Sequence, residues 1–295
     1  MNPKTRYWIK LVSFSLVALL IAFFSVCLYV SRQWALNFLH PAREISAGDS
    51  LRENKIPYQD VELITKDGVK LSAWYTPPQN GAVILVAHGY ADNRPERVYV
   101  MLAEAGYGVL AWDFRAHGTS GGDISTLGYF EQLDAEAALD YVLAQPDVKH
   151  IGGWGGSMGA STLILTAARR TEIEALVSDS AFPSLNDVMQ VNVPFDFLRP
   201  MVKFWGESYS GADIDAVNPV DEIGKIAPRA VLVIDGWEGA AIIMNSPYRL
   251  YDAANDPKEI WAEDGVPHLG TLANNPQKYK RKVIGFFDEY LLNQK

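Results

Sequence analysis

The stretch IGGWGGSMGAS, Ile151 to Ser161, sets five glycines around Ser157. Within it, Gly155-Gly156-Ser157-Met158-Gly159 fits the pattern Gly-x-Ser-x-Gly. A short apolar run, "HIGGWGGS", leads in, and "SMGASTLILTAARR", with helical spacing, leads out. A serine on a sharp strand-to-helix turn exposes its hydroxyl from a strained backbone. Small neighbours let other backbone come close. The helix that starts there offers unpaired N–H groups and a positive dipole end. A glycine-rich turn can serve packing alone, but here the flanking strand and helix favour a nucleophile.

Outward from this turn the chain alternates. "VELIT" and "KLSAWYT" read as a hairpin across "KDG". "AVILVAHG" is a continuous apolar run, as a doubly covered strand requires. "RPERVYVMLAEAGY", "GVLAWDFR" and "FEQLDAEAALDYVLAQ" follow as helix, strand and helix. Beyond the serine come strand "ALVSDSAF", strand "RAVLVIDG", a helix around "SPYRLYDAAN", strand "KEIWAED" and a last helix near "YKRKVIGFFDEYLL". Such alternation predicts a mostly parallel sheet covered on both faces, with sites at the strand C-terminal edge. Phe182 to Pro219 breaks the rhythm, being aromatic and too long for a connection. It reads as a cap insertion of about residues 183–218 over that edge.

The 295 residues are 48% hydrophobic, enough for one large core or two small ones. The net charge is −9, and no Lys/Arg block stands out beyond the N-terminus, which argues against a nucleic-acid partner. The single cysteine, Cys27, excludes an intrachain disulfide and a cysteine metal site. No His/Asp/Glu cluster has ligand spacing, and neither metal nor cofactor is expected.

Leu11 to Val30, "LVSFSLVALLIAFFSVCLYV", carries no charge. Twenty helical residues span about 30 Å, the hydrocarbon thickness of a bilayer. Lys4, Arg6 and Lys10 precede the run, and Tyr7, Trp8, Tyr29 and Trp34 flank it where aromatic rings favour the interface. A cleaved secretory signal has a shorter apolar core and small residues at its end. Residues 1–30 are therefore expected to be a cytoplasmic n-region and transmembrane anchor. Residues 31–58 are read as a linker, with a short helix near Trp34 to Leu39, and 59–295 as the globular domain. The positive flank places that domain on the extracytoplasmic side.

At this point the chain resembles the α/β-hydrolase fold, in its serine aminopeptidase-like and small esterase branch. The marks are "HGY", "DFRAHGTSGG", "GGSMGAS", "SDSAF" and "DGVPHLG", running from about Val61 to the C-terminus. The resemblance implies Ser157 as nucleophile. It implies the backbone N–H groups of Tyr90 and Met158 as an oxyanion hole, and His88 as a residue that shapes that loop. Asp113, Arg115 and Gly118 look like structural residues of the same edge. Of the five histidines, His268 follows the last strand and comes after Ser157, matching the order serine, acid, histidine. It is the expected base.

The acid departs from the pattern. The family places an aspartate three residues after a glycine, which here falls on Gly239 in "VLVIDGWEGAAIIMN". Three readings stand: Glu238, one residue early and one methylene longer; Asp179 or Asp235 at the ends of their strands; or no acid. Glu238 is preferred. The expected function is a membrane-anchored serine hydrolase acting on a small-molecule carboxylic ester, with amide, peptide or thioester not excluded. The alternative is a weakened or non-catalytic binding protein on the same fold. Phe182, Phe195, Phe197, Phe204 and Trp205 are candidates to line the pocket.

Overall fold

The structure, a computed structural model, describes residues 2–240 and 244–293. Eight strands form one sheet: β1 (Gln59–Ile64), β2 (Lys70–Thr76), β3 (Ala82–Ala87), β4 (Gly108–Trp112), β5 (His150–Gly156), β6 (Ala175–Asp179), β7 (Ala230–Trp237) and β8 (Lys258–Asp264). Their order is β1-β2-β4-β3-β5-β6-β7-β8. β1, β2 and β4 pair antiparallel, and from β4 onward every pair is parallel.

The helices are α1 (Pro3–Leu39), α2 (Asp49–Glu53), α3 (Glu96–Glu104), α4 (Glu131–Leu143), α5 (Met158–Ala167), α6 (Leu185–Asn192), α7 (Arg199–Ser210), α8 (Pro219–Glu222), α9 (Ser246–Ala253), α10 (Thr271–Asn274) and α11 (Pro276–Phe287). All six residues of β3 are buried. Val83, Leu85 and Ala87 join the apolar layer with α4, α5 and α9. Ala82, Ile84 and Val86 join the opposite layer with α3 and α11. The two-residue period of a strand delivers alternate side chains to two covered faces, so a run without polar residues is what this position needs.

Register brings the strand ends together. Ala87 lies opposite Gly155, Gly156 opposite Asp179, and Asp179 opposite Ile234. The loops after β3, β5, β6, β7 and β8 therefore share one edge. The insertion lies over it as α6 and α7 with short helical turns between. Ser184 caps α6 by accepting from the Asp187 N–H (3.1 Å), and Gly211 ends α7 at φ 72°.

The N-terminal helix differs from the sequence reading in length. It runs unbroken for 37 residues, so the stretch read as linker begins as nine helical residues, 31–39. Among the described residues it is the one helix long and apolar enough to cross a membrane. Its buried residues are Cys27, Ser31, Ala35 and Leu39, one per four residues, and Cys27 and Ala35 cluster with Val193, Leu198 and Val202 of the cap. The segment that follows is tied down. Arg43 donates to the Ser120 and Gly122 carbonyls, and the Gly48 and Ser50 N–H groups donate to the Glu96 carboxylate (2.7 Å each).

Candidate active site

Ser157 sits between β5 and α5 with φ 51° and ψ −115°. Its N–H donates to the Asp179 carbonyl on the neighbouring strand end (2.8 Å). Two of the glycines around it answer to sterics. A Cβ on Gly155 would lie 2.5 Å from the Ala160 backbone, and one on Gly159 would lie 2.4 Å from the Ala87 carbonyl oxygen. The strand-helix crossing and the β3 end therefore close around this turn only because both positions lack a side chain. Positive φ recurs at non-glycine residues of the same edge: Ala91, Ser157, Ser180 and Leu269. Strain of this kind persists where surrounding structure over-determines it.

The structure brings His268 to Ser157: its Nε2 stands 2.9 Å from the serine Oγ. The histidine is accessible at the mouth of a pocket. Protein packed around its ring nevertheless disfavours the imidazolium and lowers its pKa. A neutral imidazole is the form that can accept the serine proton.

The loop after β3 is held by two histidines. His88 donates from Nδ1 to the Gly89 carbonyl (2.6 Å), and its Nε2 accepts from the Phe114 N–H (2.9 Å). Burial drives its pKa down to about 3, so it stays neutral. His117 takes the Ala91 N–H on Nε2 (3.0 Å) while its Nδ1 faces the Arg115 carbonyl (2.8 Å). The loop passes close to the serine, since a Cβ on Gly89 would lie 3.5 Å from the Ser157 Cβ. Among the described residues, no hydrogen bond occupies the N–H of Tyr90 or of Met158. The Tyr90 hydroxyl donates to the Asn37 and Phe38 carbonyls (2.9 and 3.0 Å), joining this loop to the end of α1.

The structure does not bring Glu238 to the Ser157–His268 pair among the described residues. Glu238 is exposed, and no hydrogen bond or ion pair joins it to His268 among the described residues. The reason is local. Gly236 is pressed against the Val266 and Pro267 carbonyls, and the chain then turns through Gly239 at φ 58°, leaving Glu238 in solvent. Asp235 is buried and accepts from the Ser246 hydroxyl (2.8 Å), and its Oδ1 has no partner among the described residues. Burial first of all pushes its pKa up to about 7. Asp179 is also buried and raised, to about 6. It accepts from the Tyr279 hydroxyl (2.6 Å) and the Ser180 hydroxyl (2.9 Å). Tyr279 in turn accepts from the Trp154 Nε1 (2.8 Å). Asp179 therefore reaches His268 only indirectly: Ser180 Oγ accepts from the N–H of Leu269, the next residue (3.1 Å). Sequence reasoning missed Ser180, Tyr279 and Trp154, because no local motif announces a bond between residues 100 apart.

The pocket beside Ser157 and His268 measures about 370 Å³. Phe38, Leu127, Phe182, Val188 and Met244 supply apolar wall, and Asn192 a polar group. Of the five aromatics expected to line it, Phe182 does. Phe195, Phe197 and Phe204 are more than half exposed, and Trp205 packs against the α1–cap cluster. Phe38 comes from α1, which the sequence had placed outside the domain.

The chain is similar to known proteins over most of its length. The family described as serine aminopeptidase, S33, matches residues 78–216. A Mycobacterium tuberculosis protein is 32% identical over 234 residues, 77% of this chain and 76% of that one. The alpha/beta hydrolase domain-containing protein WAV2 of Arabidopsis thaliana is 32% identical over 290 residues, covering 93% of this chain and 90% of its own. The Pyrococcus furiosus esterase Pf2001 superposes with a TM-score of 0.73 at 28% identity, over 85% of this chain and 99% of that one.

Proposed function

This chain belongs to the α/β-hydrolase family, and we propose that it works as a membrane-anchored serine hydrolase cleaving a carboxylic ester through an acyl-serine intermediate. The observation that carries the reading is the 2.9 Å contact between Ser157 Oγ and His268 Nε2 at the mouth of an apolar pocket. Ser157 attacks the acyl carbonyl while His268 takes its proton. The oxyanion is received by the N–H groups of Tyr90 and Met158, which no other group occupies among the described residues. Each such donor is worth about 3–4 kcal/mol of barrier. His268 then returns the proton to the leaving alkoxide, and water repeats the sequence to free the acid. The apolar wall from Phe38 to Met244 suits an acyl chain better than a charged side chain.

Residues 1–30 act as the anchor, with the catalytic domain outside the cytoplasm. The long apolar helix supports the first statement, and the Lys4, Arg6 and Lys10 flank supports the second. Among the described residues no hydrogen bond reaches His268 Nδ1, and this favours a second reading, a slow enzyme or a binding protein.

The test is covalent labelling of the full-length chain with a fluorophosphonate, beside hydrolysis of an acyl-length series of p-nitrophenyl esters. The expected result is stoichiometric labelling that Ser157→Ala abolishes, with turnover lost in His268→Gln. A folded protein that neither labels nor turns over any ester favours the binding reading. Labelling that persists in Ser157→Ala refutes the nucleophile.

A further inference from the structure

The cap carries an aromatic edge at the level of the membrane helix. Phe197 faces Phe23 of α1, ring centroids 6.2 Å apart, and Phe195 faces Phe197 at 5.9 Å. Phe195 and Phe197 are 55% and 56% exposed. A 20-residue span that starts at Tyr7 ends at Val26, and one that starts at Leu11 ends at Val30. Phe23 is then three (26 − 23) to seven (30 − 23) residues inside the outer end, about 5–10 Å at 1.5 Å per residue. A ring in contact with Phe23 shares that depth.

We propose that the cap edge bearing Phe195 and Phe197 is immersed in the bilayer leaflet nearer the C-terminal end of α1, where it is covered by phospholipid acyl chains. The inference rests on the reading of α1 as a membrane anchor. Immersion of about 5–10 Å matches the depth at which interfacial elements bury an apolar face. The polar neighbours fit headgroup level. Asp196 pairs with Arg199 at 3.0 Å. Arg32, two residues past Val30, donates to the Tyr209 hydroxyl (2.6 Å) and lies 5.5 Å from that ring's centroid. The interface is continuous with one already formed inside the protein, because α1 packs on the cap from Cys27 onward. Phe38, eight residues past Val30, stands about 12 Å further along the helix. The cap thus rests on the leaflet and holds the pocket above it.

The full-length chain in phosphatidylcholine vesicles, in a Cys27→Ala background, tests this with a fluorophore on Phe197→Cys, Leu16→Cys or Asp147→Cys. Leu16 lies in the span, and Asp147 precedes β5 at the sheet edge opposite Ser157. The quenchers are nitroxides on the lipid acyl chains and iodide in the water. Lipid quenching at 197 is expected to approach that at 16 and to exceed that at 147 by about two-fold or more. If 16 is quenched by lipid while 197 behaves like 147, the immersion is refuted and the anchor stands. If 197 is shielded from both quenchers, a protein partner or second copy covers it, and the proposal fails. If lipid does not quench 16, the anchor falls and the immersion with it.

Discussion

Replacing Glu238 with Gln is expected to leave hydrolysis unchanged within about two-fold, the ordinary reach of an exposed substitution. The electrostatics of His268 set this expectation. A carboxylate about 4 Å from an imidazolium at an effective dielectric of 20 is worth about 4 kcal/mol. At 1.36 kcal/mol per unit, such a partner raises a histidine by about 3 pKa units. His268 has no such partner among the described residues, and the protein around it lowers its pKa. The active form of the base is neutral, so protonation removes activity as pH falls. The acid limb of kcat/KM must then lie below 6.5, with a plateau through neutral pH, for parent and variant alike. The assay is kcat/KM for p-nitrophenyl butyrate from pH 4.5 to 9 at constant ionic strength. A parent limb above 6.5 that moves down in Glu238→Gln, with a fall toward the 10⁴-fold seen on losing a triad acid, would refute the geometry of this loop.

Two other substitutions probe the neighbourhood. The Asp235 carboxyl, raised to about 7 by burial, binds its proton more tightly in the folded chain than in the unfolded one. Its burial therefore costs nothing below about pH 4 and destabilises progressively as pH rises through 7, by at most about 4 kcal/mol. Asp235→Asn should raise the melting temperature at pH 8, with the gain vanishing at pH 4; calorimetry showing equal gains at both would contradict this. Tyr90→Phe removes the hydroxyl that ties the loop after β3, the proposed oxyanion loop, to the end of α1. One hydrogen bond of about 0.5–1.5 kcal/mol predicts a fall in kcat of about two- to ten-fold with KM little changed; steady-state kinetics showing the loss in KM alone would mean the contact serves binding instead.

The architecture was legible in the sequence because its signals are local. The apolar run of β3, the alternation of strand and helix, and the glycines that crowd Ser157 are each written within a dozen residues. Close approach between neighbouring elements leaves no room for a Cβ at Gly155 or Gly159, and the chain records that demand directly. His268 was expected from its position after the last strand, and the structure sets its Nε2 2.9 Å from the Ser157 Oγ. The environment of that histidine was decided elsewhere. Glu238 and Asp235 differ by three residues, yet one is in solvent and the other buried, according to how β7 presses on the 266–267 backbone. The bonds from Asp179 to Tyr279 and from Ser180 to Leu269 cross 100 and 89 residues of chain. So does the docking of α1, whose Phe38 became pocket wall instead of tether. Local sterics and periodicity leave their mark on neighbouring residues, whereas hydrogen bonds and burial depend on which distant segments the fold brings side by side.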